Sequence, residues 1–311
     1  MNDALQHVGY IALPEHIGSG GFDHAAVHAA TGHVYVAHTA NNAVDVLEPA
    51  AGRHLFSIGD LPGVAGVLVS DEAQLIITSN RAENTIGVFA PGPDPRVVKI
   101  AVGVRPNGLA YDPERAADSR SECRDPAVPD SHTLSVVGLN QQTVIAEIRV
   151  PGRTRWAVYD PDVQVFYVNI AEPAEIVVVE SRDPARIARA YPIPAAGPHG
   201  LDLDLASQRL FCACDAKTLV TLDARSGKVL GQLGLSGVPD VVFFNPRRKH
   251  LYVAVGDPGV IDTFDTESMQ GLGSVSTEKG AHTLAFLPAD DRVLAFLPGT
   301  HRAAIYQERQ S

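Results

Sequence analysis

The stretch from His33 to Pro49 reads HVYVAHTANNAVDVLEP, and its pattern decides the fold of this chain. Two short apolar runs flank a polar turn, and their β-branched, nearly alternating residues are typical of strands. The same unit recurs as QLIITSNRAENTIGVFAP from Gln74, VFYVNIAEPAEIVVVES from Val165, RLFCACDAKTLVTLDARSGKVLG from Arg209 and HLYVAVGDPGVIDTFDTESMQG from His250. The chain is therefore an internal repeat of short strands.

The segment before the first strand of each unit sets the register of the repeat. These segments read FDHA, VAGV, PNGL, TRWA, PHGL, PDVV and AHTL, and their equivalent positions are His24, Ala65, Asn107, Arg155, His199, Asp240 and His282. The marks lie 41 to 48 residues apart, which is the length of a four-stranded propeller blade. The sequence therefore predicts an all-β, seven-bladed β-propeller that occupies residues 1–311 as a single domain.

The repeat also predicts where the blades begin and how the ring closes. We expect blades to start near residues 22, 63, 105, 153, 197, 238 and 280. The last unit ends after three strands, and the N-terminal segment HVGYIALP resembles a fourth strand, so we expect that segment to close blade 7. In blade 3, the polar stretch 114–132 interrupts the pattern and predicts a long irregular loop with a missing or degenerate strand.

Charge and composition exclude several classes of function. The net charge of −11 disfavours binding to a nucleic-acid backbone, which needs a basic surface. No run is long enough to span a bilayer, and the first residues lack the pattern of a signal peptide. Three cysteines do not suggest a disulfide framework. We therefore expect a cytoplasmic protein, or a secreted or periplasmic one if a leader has been removed. The oligomeric state stays open.

The repeat motifs resemble those of the YVTN-type (YncE-like) repeat propellers. Pro106-Asn107-Gly108-Leu109 and Pro198-His199-Gly200-Leu201 match the start of that repeat, and Asp223 to Val229 matches its D-x-x-x-G-K-V turn. The resemblance covers essentially the whole chain and implies a propeller. The wider group contains binding proteins, surface proteins, hydrolases and lyases, so it does not determine a reaction.

Propeller geometry brings distant residues together at one end of the channel. The loop that enters each first strand lies at the top rim, so the seven register positions converge on the axis. Blades 5, 6, 7 and 1 then present an adjacent arc of His199, Asp240, His282 and His24. The turn between the second and third strands of blade 1 adds His38 on the same face.

This arc predicts a metal site. Three histidines with an open coordination position suit catalytic zinc, and related sets bind iron, copper, nickel or manganese. We therefore predict His24, His199 and His282 as metal ligands, Asp240 as a catalytic base and Arg155 as a catalytic or substrate-binding cation. Asn107 and His38 are predicted to bind substrate. Each of these residues also has an alternative, purely structural role. A rim histidine can hydrogen-bond to neighbouring backbone, and Arg155 can form an ion pair with an acidic residue or stack on Trp156.

Three hypotheses of function follow. The first is a metal-dependent hydrolase, lyase or oxidoreductase that acts on a small, anionic organic molecule at the top mouth. The second is a YVTN-type propeller that binds a ligand or a protein without catalysis. The third is a metal-free, lactonase- or lyase-like enzyme that uses the same residues for acid–base chemistry.

Overall fold

The chain folds into seven four-stranded antiparallel sheets arranged as the blades of a β-propeller. The computed structural model describes residues 3–114, 120–124 and 132–309, and of residues 120–124 the backbone alone. The chain begins with β1 (Leu5–Ala12). One 3-10 turn, Thr39–Asn41, lies in blade 1, and no helix among the described residues is long and apolar enough to cross a membrane.

The remaining strands follow in chain order, inner strand first in each blade. Blade 1 contains β2 (Phe22–His28), β3 (His33–His38), β4 (Ala43–Glu48) and β5 (Arg53–Ile58); blade 2 contains β6 (Val64–Ser70), β7 (Leu75–Asn80), β8 (Thr85–Phe89) and β9 (Val98–Ala101); blade 3 contains β10 (Leu109–Tyr111), β11 (Arg120–Arg124), β12 (Thr133–Gly138) and β13 (Thr143–Arg149); blade 4 contains β14 (Thr154–Asp160), β15 (Val165–Ile170), β16 (Glu175–Glu180) and β17 (Arg189–Pro192). Blade 5 contains β18 (Pro198–Asp204), β19 (Arg209–Cys214), β20 (Thr218–Asp223) and β21 (Val229–Gly234). Blade 6 contains β22 (Pro239–Asn245), β23 (His250–Val255), β24 (Val260–Asp265) and β25 (Gln270–Ser276). Blade 7 contains β26 (Thr283–Leu287), β27 (Arg292–Leu297), β28 (Arg302–Glu308) and β1.

The two ends of the chain meet in blade 7. Strand β1 pairs antiparallel with β28, from Leu5 opposite Glu308 to Ala12 opposite Arg302. Two backbone hydrogen bonds extend this pairing, from Leu13 N–H to the His301 carbonyl at 2.9 Å and from Arg309 N–H to the Ala4 carbonyl at 2.9 Å. The pairing covers the outer edge of β28, which would otherwise expose its backbone groups.

The core is divided among the contacts between blades. The described residues form seven apolar clusters, and each cluster joins two neighbouring blades. Ile11 and Leu294 of blade 7 pack with Val34 of blade 1, so one cluster also joins the last blade to the first. Because each strand of a blade is apolar on the faces that meet its neighbours, the second and third strands are nearly continuous apolar runs.

Neighbouring inner strands approach each other closely around the axis. An added Cβ atom on Gly200 of blade 5 would lie 2.3 Å from the carbonyl oxygen of Asp240 in blade 6. No side chain fits at that distance, so glycine is required where the two backbones meet. Ser79 makes the equivalent link between blades 2 and 3, since its Oγ donates to the Asn107 carbonyl at 2.6 Å.

Blade 3 decides between two expectations from the sequence. The polar stretch 114–132 suggested a missing or degenerate strand, and β11 lies within it and pairs with both β10 and β12, so the strand is present. Its sequence, RSECR, lacks the apolar alternation of the repeat, and hydrogen bonds between backbones hold it. Residues 115–119 and 125–131 of the predicted loop lie outside the described residues.

We predict that β1 carries part of the stability of the whole ring. Replacing the fully buried side chain in Ile11→Ala leaves a cavity between blades 7 and 1 and should lower the free energy of unfolding by about 3 kcal/mol in urea denaturation. Val8→Ala, on the same strand but 52% exposed, should change it by less than about 0.5 kcal/mol. Equal effects of the two substitutions would show that β1 does not contribute through this packing.

Candidate functional site

A register shift recurs in the inner strands and turns their side chains toward the channel. The pairing skips between Phe22 and Ala25, Val64 and Val67, Thr154 and Ala157, Pro198 and Gly200, and Pro239 and Val242. A bulge of this kind redirects side chains and is common beside binding sites. The skipped positions include Asp23, His24, Arg155, Trp156, His199 and Asp240.

His199 lies at the centre of a charged cluster at the top mouth. Its Nδ1 lies 2.8 Å from Oδ1 of Asp215, and its Nε2 lies 3.3 Å from Oδ1 of Asp240. Arg155 of blade 4 places Nη1 3.1 Å from Nε2 of His199 and Nη2 3.4 Å from Oδ2 of Asp215. We call these four residues the charged quartet.

The quartet keeps His199 protonated at neutral pH. Burial alone would lower the pKa of His199, but the charge of Asp240 and the hydrogen bonds with Asp215 and Asp240 outweigh burial and raise the pKa to about 9. Burial would also raise the pKa of Asp240, yet the positive charge of His199 holds that pKa well below its usual range. The quartet therefore contains two carboxylates and two cations and is neutral as a unit.

A second charged group forms the opposite wall of the mouth. Arg81 of blade 2 places Nη1 3.0 Å from Oδ2 of Asp23, and its Nη2 donates to Oδ1 of Asn107. His24 lies beside them, with Nε2 3.4 Å from Oδ1 of Asp23. These contacts join blades 1, 2 and 3 and hold the Arg81 guanidinium in place.

The two groups enclose a polar cavity of about 230 Å³. Its lining consists of Asp23, His24, Arg81, Arg105, Asn107, Arg153, Arg155, Trp156, His199 and Asp240. Four arginines and two aspartates therefore face one small space, in a chain whose net charge is −11. We call this space the upper cavity. It concentrates positive charge and guanidinium donors, which suit carboxylate and phosphate groups.

Two aromatic side chains separate the upper cavity from the rest of the channel. The rings of His24 in blade 1 and Trp156 in blade 4 meet across the axis, with centroids 4.1 Å apart and planes inclined by 48°. Beyond this contact lies a second cavity of about 350 Å³, which we call the lower cavity. Its wall is mostly apolar and includes Ala26, Val67, Leu109, Phe243 and Phe286, and it shares His24 and Trp156 with the upper cavity.

Most of the residues predicted from the sequence do meet at the mouth. His24, Asn107, Arg155, His199 and Asp240 all line the upper cavity. His282 lies at its margin, with Nε2 4.0 Å from Oδ2 of Asp240 and Nδ1 2.8 Å from the Gly280 carbonyl oxygen. Their positions alone do not determine whether they bind metal, bind substrate or take part in catalysis.

His38 does not reach the mouth. Its side chain is fully buried, and its Nδ1 donates to Oδ2 of Asp45 at 2.7 Å. Ser57 donates to the other oxygen of Asp45 at 2.6 Å, and the rings of His16 and Phe22 pack against His38. The prediction of His38 as a substrate-binding residue is not supported by this position. It ends β3, the second strand of blade 1, and alternation turns its side chain into the blade, where it meets Asp45, rather than toward the axis.

The contacts of His199 compete with metal binding. Residues 3–114 and 132–309 contain no group of three or more histidine, cysteine or acidic side chains placed to hold a metal ion. Both ring nitrogens of His199 already face carboxylates, and a protonated imidazole has no lone pair for a metal. The assignment of His24, His199 and His282 to zinc, iron, copper, nickel or manganese stays a prediction.

Several residues of the site were missed from the sequence. Arg81 and Asp215 each follow the last residue of a second strand, so they occupy equivalent turns of blades 2 and 5. Arg105 and Arg153 each lie two positions before a register mark, Asn107 and Arg155 respectively. The repeat could have identified these positions, because equivalent turns and entry loops converge in every blade.

The two cysteines of blade 5 have a structural position. Cys212 and Cys214 are both fully buried, with their sulfur atoms 3.8 Å apart. The Cys212 thiol also contacts Oδ1 of Asn169 at 3.5 Å, and burial raises its pKa well above the ordinary value. They therefore serve as core side chains, as expected for free cysteines on a buried strand.

Comparisons with known proteins support the class of fold. No protein-family model matches the chain, and no curated protein matches it by sequence. Among solved structures, a chain of hydrazine synthase from Kuenenia stuttgartiensis is similar, with a TM-score of 0.80 and 12% sequence identity over 93% of this chain and 97% of that chain. A likeness at that identity shows the fold alone, so the chain is a β-propeller, and the YVTN resemblance stays unconfirmed.

The charged quartet predicts a specific dependence of stability on pH. Because the pKa of His199 is raised from 6.5 to about 9 in the folded state, its contribution is fully present below pH 6.5 and is lost as the pH rises through about 9. The difference in unfolding free energy between wild type and His199→Gln should therefore shrink over this range. Urea denaturation across the range measures it, and a constant difference would contradict the assignment.

We predict that His38 serves stability rather than binding. Burial acts to raise the pKa of Asp45, but hydrogen bonds with His38, His54 and Ser57 hold it at about 2, so the buried carboxylate stays charged. His38→Ala removes one partner of this charge and should lower the free energy of unfolding by about 3 kcal/mol. Denaturation measures this against His7→Ala, an exposed histidine on β1 that should change little. A small effect at His38 would refute a structural role.

Proposed function

We propose that this propeller binds a small organic anion in the upper cavity. The observation that carries the proposal is the set of four arginines around a space of about 230 Å³. The charged quartet is neutral as a unit, and Arg81 is balanced by Asp23. Arg105 and Arg153 remain, because neither forms an ion pair with another described residue, and they leave the cavity positive.

The arginines differ in what they contribute. Arg155 and Arg81 are partly buried, with 16% and 26% of their side chains exposed, and both are held by carboxylates. Such preorganised guanidinium groups present hydrogen-bond donors at fixed positions, at little cost in side-chain entropy. Arg105 and Arg153 are exposed at the rim, where their charge attracts an anion from solution.

This proposal corresponds to the ligand-binding hypothesis and does not include a catalytic step. Asp240 is a weak base because its ion pair with His199 holds its pKa well below the usual range. A metal bound by His24, His199 and His282 would also have to displace the Arg155 guanidinium, whose Nη1 lies 3.1 Å from Nε2 of His199. The arrangement of charges therefore favours Asp215 and Asp240 as the counter-ions of two cations, His199 and Arg155.

Calorimetric titration with succinate tests the proposed function. The double substitution Arg105→Gln/Arg153→Gln should weaken binding by about tenfold, because it removes the two lining arginines that form no ion pair with another described residue. The effect should diminish at high salt, as expected for exposed charges. The double substitution Arg182→Gln/Arg186→Gln removes the same charge from an exposed segment outside the upper cavity and should leave the affinity nearly unchanged.

Two results would refute the proposal. The first is the absence of binding by succinate and by inorganic phosphate to the wild-type protein at low ionic strength. The second is equal weakening by the two pairs of substitutions, which would mean that net charge alone, rather than the upper cavity, attracts the anion.

A further inference from the structure

The channel contains two cavities of opposite character that share one wall. The upper cavity is polar and rich in arginine, and the lower cavity is larger and mostly apolar. His24 and Trp156 line both cavities. A ligand confined to the upper cavity would find little apolar surface there beyond Trp156, so the upper cavity suits a charged head rather than a hydrocarbon body.

The wall between the cavities consists of side chains that meet at the axis. Trp156 is half-buried, and its ring touches that of His24 with a centroid separation of 4.1 Å. These side chains come from blades 1 and 4, so no covalent or backbone link joins them. A passage between the cavities requires rotation about the side-chain bonds of His24 or Trp156, a rotamer change that needs no strand movement.

The lower cavity has the dimensions and lining of a site for a slender apolar group. Small side chains, Ala25, Ala26 and Ala157, lie close to the shared wall, and Val67, Phe243 and Phe286 line it further on. Among the described residues that line it, His24 alone is ionisable. A largely preformed apolar cavity of this size is typical of ligand sites that are completed by a few polar groups.

We propose that the ligand is an amphipathic anion with an unbranched alkyl tail. This inference rests on the proposed function, because the anionic head occupies the upper cavity beside Arg81 and Arg155. The tail passes between His24 and Trp156 and fills the lower cavity. The head is a carboxylate or a phosphate, since guanidinium groups recognise both in the same way.

The fluorescence of Trp156 allows a direct measurement of ligand binding, because Trp156 is the single tryptophan of the chain and lines both cavities. Titration with acetate, butyrate, hexanoate and octanoate should change its fluorescence, with an affinity that rises by about fourfold per methylene until the lower cavity is filled. Hexyl phosphate compared with inorganic phosphate distinguishes the two kinds of head. Hexanol, which lacks the charge, should bind much more weakly than hexanoate.

Filling the lower cavity should separate the contributions of head and tail. Ala26→Phe should abolish the increase in affinity with the length of the alkyl chain and leave the affinity for acetate nearly unchanged. Ala190→Phe, an equal change on the exposed outer strand β17, should retain the full gain. Ala29→Phe, at an exposed position of the same cavity, gives a second blocking variant that does not disturb the interior.

The outcomes distinguish this inference from the proposed function. Binding of acetate and succinate that depends on Arg105 and Arg153 but shows no gain with chain length would overturn the tail site and leave the anion site standing. A gain with chain length that survives both Ala26→Phe and Ala29→Phe would place the tail elsewhere and overturn the inference. Hexanol binding as tightly as hexanoate would overturn both, since the charged head would then contribute nothing.

Discussion

Pairing of β1 with β28 is the contact on which the rest of the ring depends. It joins the two ends of the chain within one blade and supplies Leu5 and Ile11 to the apolar contacts on either side of that blade. Without it, blade 7 would expose a strand edge, and the contact with blade 1 would lose part of its core. The inner strands can converge on one axis only while every blade is held in place by both neighbours.

Convergence at the axis determines the chemistry of the mouth. Backbones of neighbouring inner strands approach so closely that Gly200 has no space for a side chain beside Asp240. The register shift in these strands accommodates the crowding and directs polar side chains into the channel. Blades 1 to 6 therefore each contribute one to three side chains to a small volume, and their ionisable groups act on one another there.

Mutual compensation of charge explains how so many ionisable groups share this space. Asp215 and Asp240 hold His199 protonated and balance the charge of Arg155. Asp23 balances the charge of Arg81. A partly buried charge is tolerated when an opposite charge lies within hydrogen-bonding distance. The balance leaves a positive rim on an acidic protein and a clear division between a polar upper cavity and an apolar lower one.

The sequence alone determined the class of fold and most of the residues at the mouth. A repeat of 41 to 48 residues with alternating strands predicts an all-β propeller, and its register marks identified His24, Asn107, Arg155, His199 and Asp240 as neighbours. This succeeded because equivalent positions of a closed ring lie around one axis. It left open whether β11 exists, because backbone pairing holds this strand and composition does not report such pairing.

Only the tertiary structure decided what the residues at the mouth do. A histidine in a sequence is equally a metal ligand, an acid or a counter-ion, and the choice depends on which atoms lie within a few ångströms. His199 became a counter-ion because Asp215 and Asp240 face its two nitrogens, and His38 was turned into the blade by the alternation of its strand. Trp156 and His24 meet across the channel and divide it into two cavities. They lie 132 positions apart in the sequence, so no local sequence pattern predicts their contact.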